Sequence, residues 1–389
     1  TLELGLHKSC CFIEGNRVDI QKYAGYLKKA LSGKEAVSEI RRNPGICADY
    51  QENVEITADL GKKLTVELSG CHCERTKGAK QSQKQDCFVV PRSGTPRNDR
   101  VFPKLNRLTL KDKPIVDKYL KRIKTNLSGY HFAALFIWKG LFKIYWTLIE
   151  NSLCLFYQDN TGMFMPLPPI GKGNDGVIKK CFEIMDFYNP NKEVSRIENV
   201  PGPGAGSGKL KDTEYLCLRR SLAELKGNAY RHKRSGCNHF VRNYDYQLMP
   251  YKRSMRKDCL ELYQLWMGQR KEGNQDVIYR QMLEDSGGSF NTALRYFKEI
   301  GLSGYVVKVD GKIKACSLGY PLNKEAFCIL FEVCDLRLKG IAQFIFREFC
   351  CRLSGYKYIN IMGSSDLENL KRVKLSFHPI KEIKIYNMY

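Results

Sequence analysis

The stretch FCILFEVCDLRLKGIAQFIFREF, residues 327–349, decides the fold of the C-terminal part of this chain. Its first seven residues form an apolar run interrupted only by Glu332, which is typical of a strand buried on both faces. After a short loop, the spacing of apolar residues predicts an amphipathic helix over residues 341–353. A buried strand that leads into such a helix predicts a unit in which helices pack on a sheet.

The residues on either side extend this pattern. Upstream, two runs of alternating apolar residues meet at Asp310-Gly311, a dipeptide that favours a tight hairpin turn. Downstream, YINIM at 358–362 predicts another buried strand, followed by a helix at about 366–376 and a strand at 380–386. The predicted order is therefore hairpin, strand, helix, strand, helix, strand.

Two polar breaks divide the chain. Residues 74–100 and 201–212 are rich in Gly, Pro, Ser and charged residues, which is typical of linkers. We therefore predict three parts: a Cys-containing N-terminal segment over 1–100, a first half over 104–208 and a second half over 209–389.

Before the stretch at 327–349, apolar periodicity predicts a helix at 111–126, paired strands at 142–149 and 152–157, a helix at 177–188, a strand at 214–218, a basic helix at about 228–243 and more helix to Phe297.

The charge is unevenly distributed. The chain has 389 residues, 43% of them apolar, which excludes a wholly disordered protein, and its formal net charge is +23. Residues 1–100 contribute +4 and residues 101–389 contribute +19. The densest basic run, 226–244, interleaves cations with Tyr, His and Phe, a mixture that suits RNA because it combines phosphate contacts with base stacking. A solvated basic face without a specific partner is the alternative.

Several classes of site are disfavoured. The most apolar window, 132–149, has Lys139 and Lys143 near its middle, so we expect a buried helix end and a strand there and no membrane span. The glycine-rich 202–210 lacks residues that a phosphate-binding P-loop requires, so we interpret it as a linker.

The 16 cysteines are spread along the chain without a signal peptide before them, which predicts a reducing, cytoplasmic setting. The N-terminal set contains no C-x-x-C pair, so ordinary thiols are expected and no metal is predicted. This set is Cys10, Cys11, Cys47, Cys71, Cys73 and Cys87.

The loop after the buried strand resembles the R-x-x-G-x-A loop of Gcn5-related N-acetyltransferases through Arg337, Gly340 and Ala342. In that family the loop presents backbone N–H groups to a pyrophosphate at a helix N-terminus. The resemblance implies that these residues, together with Lys339, bind the phosphates of a donor. The alternative is an ordinary strand–helix turn whose glycine permits close packing.

Residues 104–389 as a whole resemble the C-terminal catalytic domain of phosphatidylglycerol lysyltransferases, and more closely that domain's soluble bacterial relatives. The motifs that carry the resemblance are FAALFIW (132–138), PLPPIG (166–171), EYLCLRRSLAELKGNAYRHKRSGCNHF (214–240), GYVVKVDGKI (304–313), FEVCDLRLKGIAQFIFREF (331–349) and INIMGSSDLENLKRVKLSFHP (359–379).

The resemblance implies a mixed α+β fold with two acetyltransferase-like halves in tandem, each a mixed sheet flanked by helices, after a small N-terminal segment of unknown fold. It implies transfer of an aminoacyl group from charged tRNA to a lipid hydroxyl such as that of phosphatidylglycerol. The lipid-modifying members carry a large membrane domain before the catalytic unit, whereas about a hundred polar residues precede it here. The acceptor is therefore left open between a lipid and a soluble molecule.

Aminoacyl transfer requires positioning, a base for the attacking group and hydrogen-bond donors for the oxyanion. We predict Glu332, Asp335 and Asn360 as the catalytic residues. The alternatives are a structural ion pair of the carboxylates with Arg337 or Lys339, and strand-end hydrogen bonding for Asn360. The residues predicted to contact tRNA are Arg231, Lys233, Arg234, Asn238 and Lys374, with a solvated helix face as the alternative for Lys374.

No cofactor is expected beyond aminoacyl-tRNA as co-substrate. Two other functions stay open: an N-acyltransferase that uses acyl-CoA, because the loop suits either donor, and a non-catalytic RNA-binding protein on the same scaffold. tRNA is the expected partner. A basic protein without a membrane span can also contact an anionic membrane surface transiently.

Overall fold

The computed structural model describes residues 102–171, 175–202, 208–365 and 367–389, together with the backbone of five N-terminal strands. The chain divides into two compact units, Thr1–Phe102 and Pro103–Tyr389. The predicted starting point of the catalytic part, Lys104, lies next to this division. The prediction that the second unit is subdivided at residues 208 and 209 stays a prediction.

The described part of the N-terminal unit consists of two small antiparallel sheets. Strands β1 (Leu6–His7), β2 (Cys10–Ile13) and β3 (Asn16–Asp19) form one sheet. Strands β4 (Asn53–Asp59) and β5 (Lys63–Ser69) form the other. The cysteine side chains of this unit, and the polar segment 74–100, lie outside the described residues.

The first half of the second unit contains a four-stranded sheet in the order β6–β7–β8–β9. The strands are β6 (Asn106–Arg107), β7 (Lys143–Ile149), β8 (Ser152–Asp159) and β9 (Gly162–Phe164). The helices are α1 (Lys113–Leu120), α2 (Phe132–Phe136) and α3 (Asp175–Tyr188). The β7–β8 pair and α3 confirm the prediction of paired strands and of a helix that ends before Pro190.

The second half supplies most of an eight-stranded mixed sheet in the order β10–β17–β11–β16–β15–β14–β13–β12. Its strands are β10 (Ile197–Pro201), β11 (Lys209–Leu218), β12 (Tyr246–Pro250), β13 (Ser303–Val309), β14 (Lys312–Pro321), β15 (Ala326–Cys334), β16 (Tyr358–Asn360) and β17 (Lys381–Met388). A parallel bridge between Met165 and Ile197, the first residue of β10, links the smaller sheet to this one.

Helices cover both faces of the large sheet. They are α4 (Arg219–Glu224), α5 (Arg231–Asn243), α6 (Arg256–Lys271), α7 (Val277–Arg295), α8 (Ile341–Arg352) and α9 (Glu368–Leu375). One apolar core contains Phe132 and Phe136 of the first half together with Phe290 and Tyr320 of the second, so the two halves share an interior. Burial of this shared apolar surface is the main force that holds them together.

The fold class predicted from the sequence, mixed α+β with acetyltransferase-like halves, is confirmed. Asp310 and Gly311 both have positive φ, 50° and 73°, as the predicted hairpin turn requires. The predicted helix over 111–126 is shorter than expected, because α1 ends at Leu120 and the chain then turns. The predicted break at 201–212 is shorter as well, since β11 already begins at Lys209, and residues 203–207 of the glycine-rich stretch lie outside the described part.

Within the described residues no helix has both the length and the apolar character needed to cross a bilayer.

Candidate active site

The candidate site lies where the two parallel strands of the large sheet separate. Strands β15 and β16 pair only at Ala326–Tyr358, Phe327–Ile359 and Cys328–Asn360. Beyond that point the chain after β16 stays with β11, because Ile361 N donates to Tyr215 O at 3.0 Å. Among the described residues no strand pairs with the rest of β15 on this side, so a gap opens in the sheet between β15 and the chain after β16.

A β-bulge places Glu332 beside this gap. The register of β14 against β15 changes between Leu318–Phe331 and Gly319–Ile329, so Leu330 is the extra residue. A bulge reverses which side chains point to each face of the sheet. Glu332 consequently comes to the same side of the sheet as α5, α8 and α9. The sequence predicts only that this segment is a strand buried on both faces.

Glu332 is half-buried and surrounded by positive charge. Burial raises the pKa of its carboxyl group to about 7, although Lys374, Lys233 and Arg270 each act to lower it. Among the described residues no side chain hydrogen-bonds to this carboxylate. A carboxyl group with a pKa near neutrality and free oxygens is suited to exchange a proton with a bound molecule.

Two lysines face this carboxylate from neighbouring helices. Lys374 Nζ, from α9, donates to the backbone oxygen of Ile361, at the edge of the gap. Lys233 Nζ, from α5, donates to Ser376 Oγ at 2.8 Å and lies 3.6 Å from the centre of the Phe377 ring. Burial lowers the pKa of both lysines, and the charge of Glu332 opposes this effect. The structure thus brings together one predicted catalytic residue and two predicted tRNA contacts.

Asp335 has a different environment three residues further along the chain. Its side chain is 1% exposed and forms ion pairs with Lys314 at 2.9 Å and Arg337 at 3.0 Å. Gln269 Nε2 donates to the same carboxylate at 2.8 Å. These hydrogen bonds outweigh the effect of burial and hold the pKa of Asp335 well below its usual range. The contacts favour the alternative considered from the sequence, a structural ion pair with Arg337, and the catalytic role stays a prediction.

The loop that resembles the acetyltransferase motif is partly engaged within the protein. The N–H groups of Leu336 and Arg337 donate to Gln269 Oε1 at 2.9 Å and to Asp335 Oδ1 at 3.2 Å. Leu338 N donates to Asp335 O at 3.1 Å, and Ile341 N donates to Leu338 O at 3.2 Å. These four donors are not available to a pyrophosphate, whereas the N–H groups of Lys339, Gly340 and Ala342 have no acceptor among the described residues.

Gly340 has a packing role. It has a φ of 90°, and a Cβ added there would lie 2.1 Å from the carbonyl oxygen of Gly236 in α5. Helix α5 therefore lies against the N-terminal end of α8. Lys339 is exposed, and Ala342 is partly buried against an apolar cluster. These contacts favour a turn whose glycine permits close packing, and phosphate binding by this loop stays a prediction.

Asn360 is fully buried in a polar cluster that connects the two halves. Its Nδ2 donates to Asn126 O at 2.6 Å and to Glu214 Oε2 at 2.5 Å. Glu214 also accepts hydrogen bonds from Ser128 N at 2.9 Å and Ser128 Oγ at 2.7 Å, and burial raises its pKa. These contacts favour a structural role for Asn360, in agreement with the alternative of strand-end hydrogen bonding.

The other predicted tRNA contacts on α5 do not converge on the site. Arg234 Nη1 donates to the carbonyl oxygens of Leu225 and Gly227, so this cation is used to hold the end of α4. Arg231 and Asn238 are exposed. The role of these residues in binding tRNA stays a prediction.

Sequence reasoning missed Arg270 and Glu214. Arg270 follows the apolar face of α6 and stacks on Trp266, with its guanidinium carbon 5.5 Å from the ring centre. Glu214 begins the motif at 214–240, but its contacts with Ser128 and Asn360 are distant in sequence. Arg270 lies outside the quoted motifs and acts on the carboxyl group of Glu332 through its charge. Among the described residues no group of three or more His, Cys, Asp or Glu side chains has a geometry that could hold a metal ion.

Comparison with known proteins matches most of this chain to one family. The family model for the C-terminal domain of phosphatidylglycerol lysyltransferase matches residues 120–389, more than half of the chain. No protein of curated function matches the chain.

Solved structures share the fold at low sequence identity. A conserved protein of unknown function from Bacteroides thetaiotaomicron VPI-5482 is 24% identical, with a TM-score of 0.64, covering 74% of this chain and 99% of its own. L-PGS from Bacillus licheniformis is 14% identical with a TM-score of 0.51, covering 72% of this chain and 91% of its own. The C-terminal DUF2156 domain of a protein assigned as a lysylphosphatidylglycerol synthetase from Agrobacterium fabrum is 13% identical with a TM-score of 0.50, covering 71% and 90%.

Proposed function

The chain belongs to the phosphatidylglycerol lysyltransferase C-terminal family, a family of acyl- or aminoacyltransferases, and from this premise we propose that it transfers an aminoacyl group from charged tRNA to the hydroxyl group of a phosphatidylglycerol-like lipid. One observation carries the proposal. Glu332, with its pKa raised to about 7, lies at the gap between β15 and β16 and faces Lys374 and Lys233.

The reaction at this site is a transesterification. Glu332 accepts the proton of the acceptor hydroxyl group. The oxygen of that hydroxyl group attacks the carbonyl carbon of the aminoacyl ester. The bond from that carbon to the ribose oxygen breaks, a new ester bond forms, and the proton returns to the ribose oxygen. No electron transfer is involved, and the ester already carries the activation that the transfer needs.

The cations at the gap suit both substrates. Lys374 and Lys233 present positive charge. That charge suits the phosphates near the 3′ end of a tRNA and the phosphate of an anionic lipid headgroup. Their lowered pKa values reflect burial, and a buried cation interacts more strongly with a phosphate than an exposed one does.

The loop ahead of α8 is engaged only in part. The N–H groups of Leu336, Arg337, Leu338 and Ile341 donate to protein acceptors, whereas those of Lys339, Gly340 and Ala342 have no acceptor among the described residues. Free N–H groups ahead of a helix can hold a pyrophosphate, so acyl-CoA stays the alternative donor and the assay with labelled acetyl-CoA decides between the two.

The proposal is tested by incubating the protein with tRNA charged with radiolabelled lysine and vesicles that contain phosphatidylglycerol. We expect label to enter the organic phase faster than in a reaction without protein. Parallel reactions with vesicles of phosphatidylcholine, and with labelled acetyl-CoA in place of the charged tRNA, are expected to give no lipid product.

Other outcomes would separate the open alternatives. Label that leaves tRNA but stays in the aqueous phase would replace the lipid by a soluble acceptor, and a panel of other aminoacyl-tRNAs extends the same assay beyond lysine. Label that never leaves the tRNA faster than spontaneous hydrolysis would contradict the transferase proposal and favour a non-catalytic RNA-binding protein.

A further inference from the structure

A groove of about 1380 Å³ lies away from the candidate active site. It is bordered by α1 and the residues after it, the turn between β14 and β15, the residues before β16 and the start of β17. Glu325, on its wall, precedes Glu332 by seven residues of extended chain, so the two are separated by about 20 Å. The groove is therefore a separate surface of the same unit.

Hydrogen bonds between the two halves join residues that line the groove. Asn323 Nδ2 donates to Thr125 O at 2.9 Å and to Asn126 Oδ1 at 2.8 Å. His131 lies in the wall and stacks on Tyr320 with 4.3 Å between ring centres. Burial lowers the pKa of His131 to about 4, so this ring is neutral at physiological pH. The charge of the groove therefore comes from residues other than His131.

Four exposed lysines from distant parts of the sequence converge on this groove. They are Lys121, Lys124, Lys324 and Lys381. In the described part of the chain none of the four forms an ion pair within 4 Å. A fifth, Lys113, pairs with Asp117, and Glu325 is the other acidic residue of the lining, which leaves a net charge of +3. Unpaired like charges that meet in one concave surface create a positive potential that attracts an anionic partner.

The size and spacing of the groove favour a polymer of phosphates. The volume exceeds the 300–1,000 Å³ of ordinary small-molecule pockets, so one lipid headgroup or nucleotide would fill only part of it. The four lysines come from three bordering segments, namely the residues after α1, the turn between β14 and β15 and the start of β17, and cations spread along a groove can contact successive backbone phosphates.

We propose that this groove binds the phosphate backbone of the tRNA donor at a distance from its aminoacylated end. The inference rests on the proposed function for the identity of the RNA. A tRNA is several times longer than the distance from Glu332 to the groove, so one molecule reaches both surfaces. The groove would then contribute affinity for the donor without touching the reacting atoms.

The test uses the full chain and uncharged, fluorescently labelled tRNA, with binding followed by anisotropy between 50 and 300 mM salt. The variant carries Lys121→Gln, Lys124→Gln, Lys324→Gln and Lys381→Gln. The matched control carries the same four changes at exposed lysines outside the groove, Lys179, Lys192, Lys298 and Lys312. We expect the groove variant to bind about 10- to 100-fold more weakly with a reduced salt slope, and the control to change less than about threefold.

Equal losses in both variants, or none in either, would overturn the assignment of the groove. A groove variant that binds tRNA normally but loses binding to phosphatidylglycerol vesicles would overturn it in favour of a lipid surface. The assay requires no transfer, so a protein that binds tRNA through the groove yet transfers nothing would contradict the proposed function alone.

Discussion

Two carboxylates three residues apart on the same segment, Glu332 and Asp335, have opposite environments. Asp335 accepts hydrogen bonds from Arg337, Lys314 and Gln269, and its pKa is held well below the usual range. Glu332 faces cations without a hydrogen bond from any described side chain, and burial raises its pKa to about 7. At Asp335 the hydrogen bonds, two of them from cations, outweigh the effect of burial, whereas at Glu332 the nearby cations do not.

The comparison distinguishes a carboxylate with a structural role, Asp335, from one that is suited to catalysis, Glu332. A carboxylate whose oxygens are all engaged fixes the loop ahead of α8, but it has no free lone pair for a substrate proton. A carboxylate that is poised to lose or gain a proton near neutrality can act as a base. Both residues are acidic and both follow an apolar run, so only their contacts distinguish these roles.

The largest expected effect is the loss of transfer activity when Glu332 is replaced. Replacing Glu332 by Gln keeps the size of the side chain but removes the base, so the rate of aminoacyl transfer should fall at least about 100-fold. The measurement is label transfer under single-turnover conditions. Glu382→Gln, an exposed change on β17, is the matched control and should leave the rate within about twofold. A Glu332→Gln variant as active as the control would remove this residue from the mechanism.

Asp335→Ala should lower the free energy of unfolding more than Glu332→Gln does. It leaves Lys314 without its ion-pair partner in a partly buried position, and we expect the free energy of unfolding to fall by about 2–3 kcal/mol. Urea denaturation measures the loss, with Glu332→Gln as the comparison, for which we expect a change below about 1 kcal/mol. Asp335→Ala with wild-type stability would mean that the network does not hold the loop.

Gly340→Ala tests whether close packing of α5 requires a glycine at this position of the loop. The new Cβ would meet the carbonyl oxygen of Gly236 at 2.1 Å in a backbone conformation with φ of 90°, and we expect a loss of about 2 kcal/mol. Gly273→Ala is the control, since its φ is 72° but nothing lies within 4 Å of an added Cβ, and it should cost only about 1 kcal/mol. Equal losses in thermal or urea denaturation would show that α5 does not restrict Gly340.

The sequence predicts local features well and the site only in part. The hairpin at Asp310-Gly311 and the strand at residues 327–333 follow from turn chemistry and apolar pattern, and the structure contains both. Glu332 could be selected because it interrupts an apolar run. Its contrast with Asp335 could not be predicted, because it depends on Gln269 and Lys374, which lie far away in the sequence.

The predicted roles of Asn360 and Gly340 illustrate the same limit. Asn360 is at the expected strand end, but its partner Glu214 comes from β11, and no local pattern indicates that pairing. Gly340 fits a phosphate-loop motif, yet its conformation equally suits the approach of α5. A motif describes which residues permit a structure, whereas long-range packing decides which of the permitted roles is realised.

The pH dependence of transfer by the wild-type protein and by Glu332→Gln tests the central claim most directly. A base with a pKa of about 7 is protonated and inactive in acid, so the single-turnover rate, corrected for spontaneous hydrolysis, should rise nearly tenfold per unit up to about pH 7 and level off above pH 8. The residual rate of Glu332→Gln should lack this rise. A wild-type rate that is constant between pH 5.5 and 8.5, or the same rise in Glu332→Gln, would contradict the account.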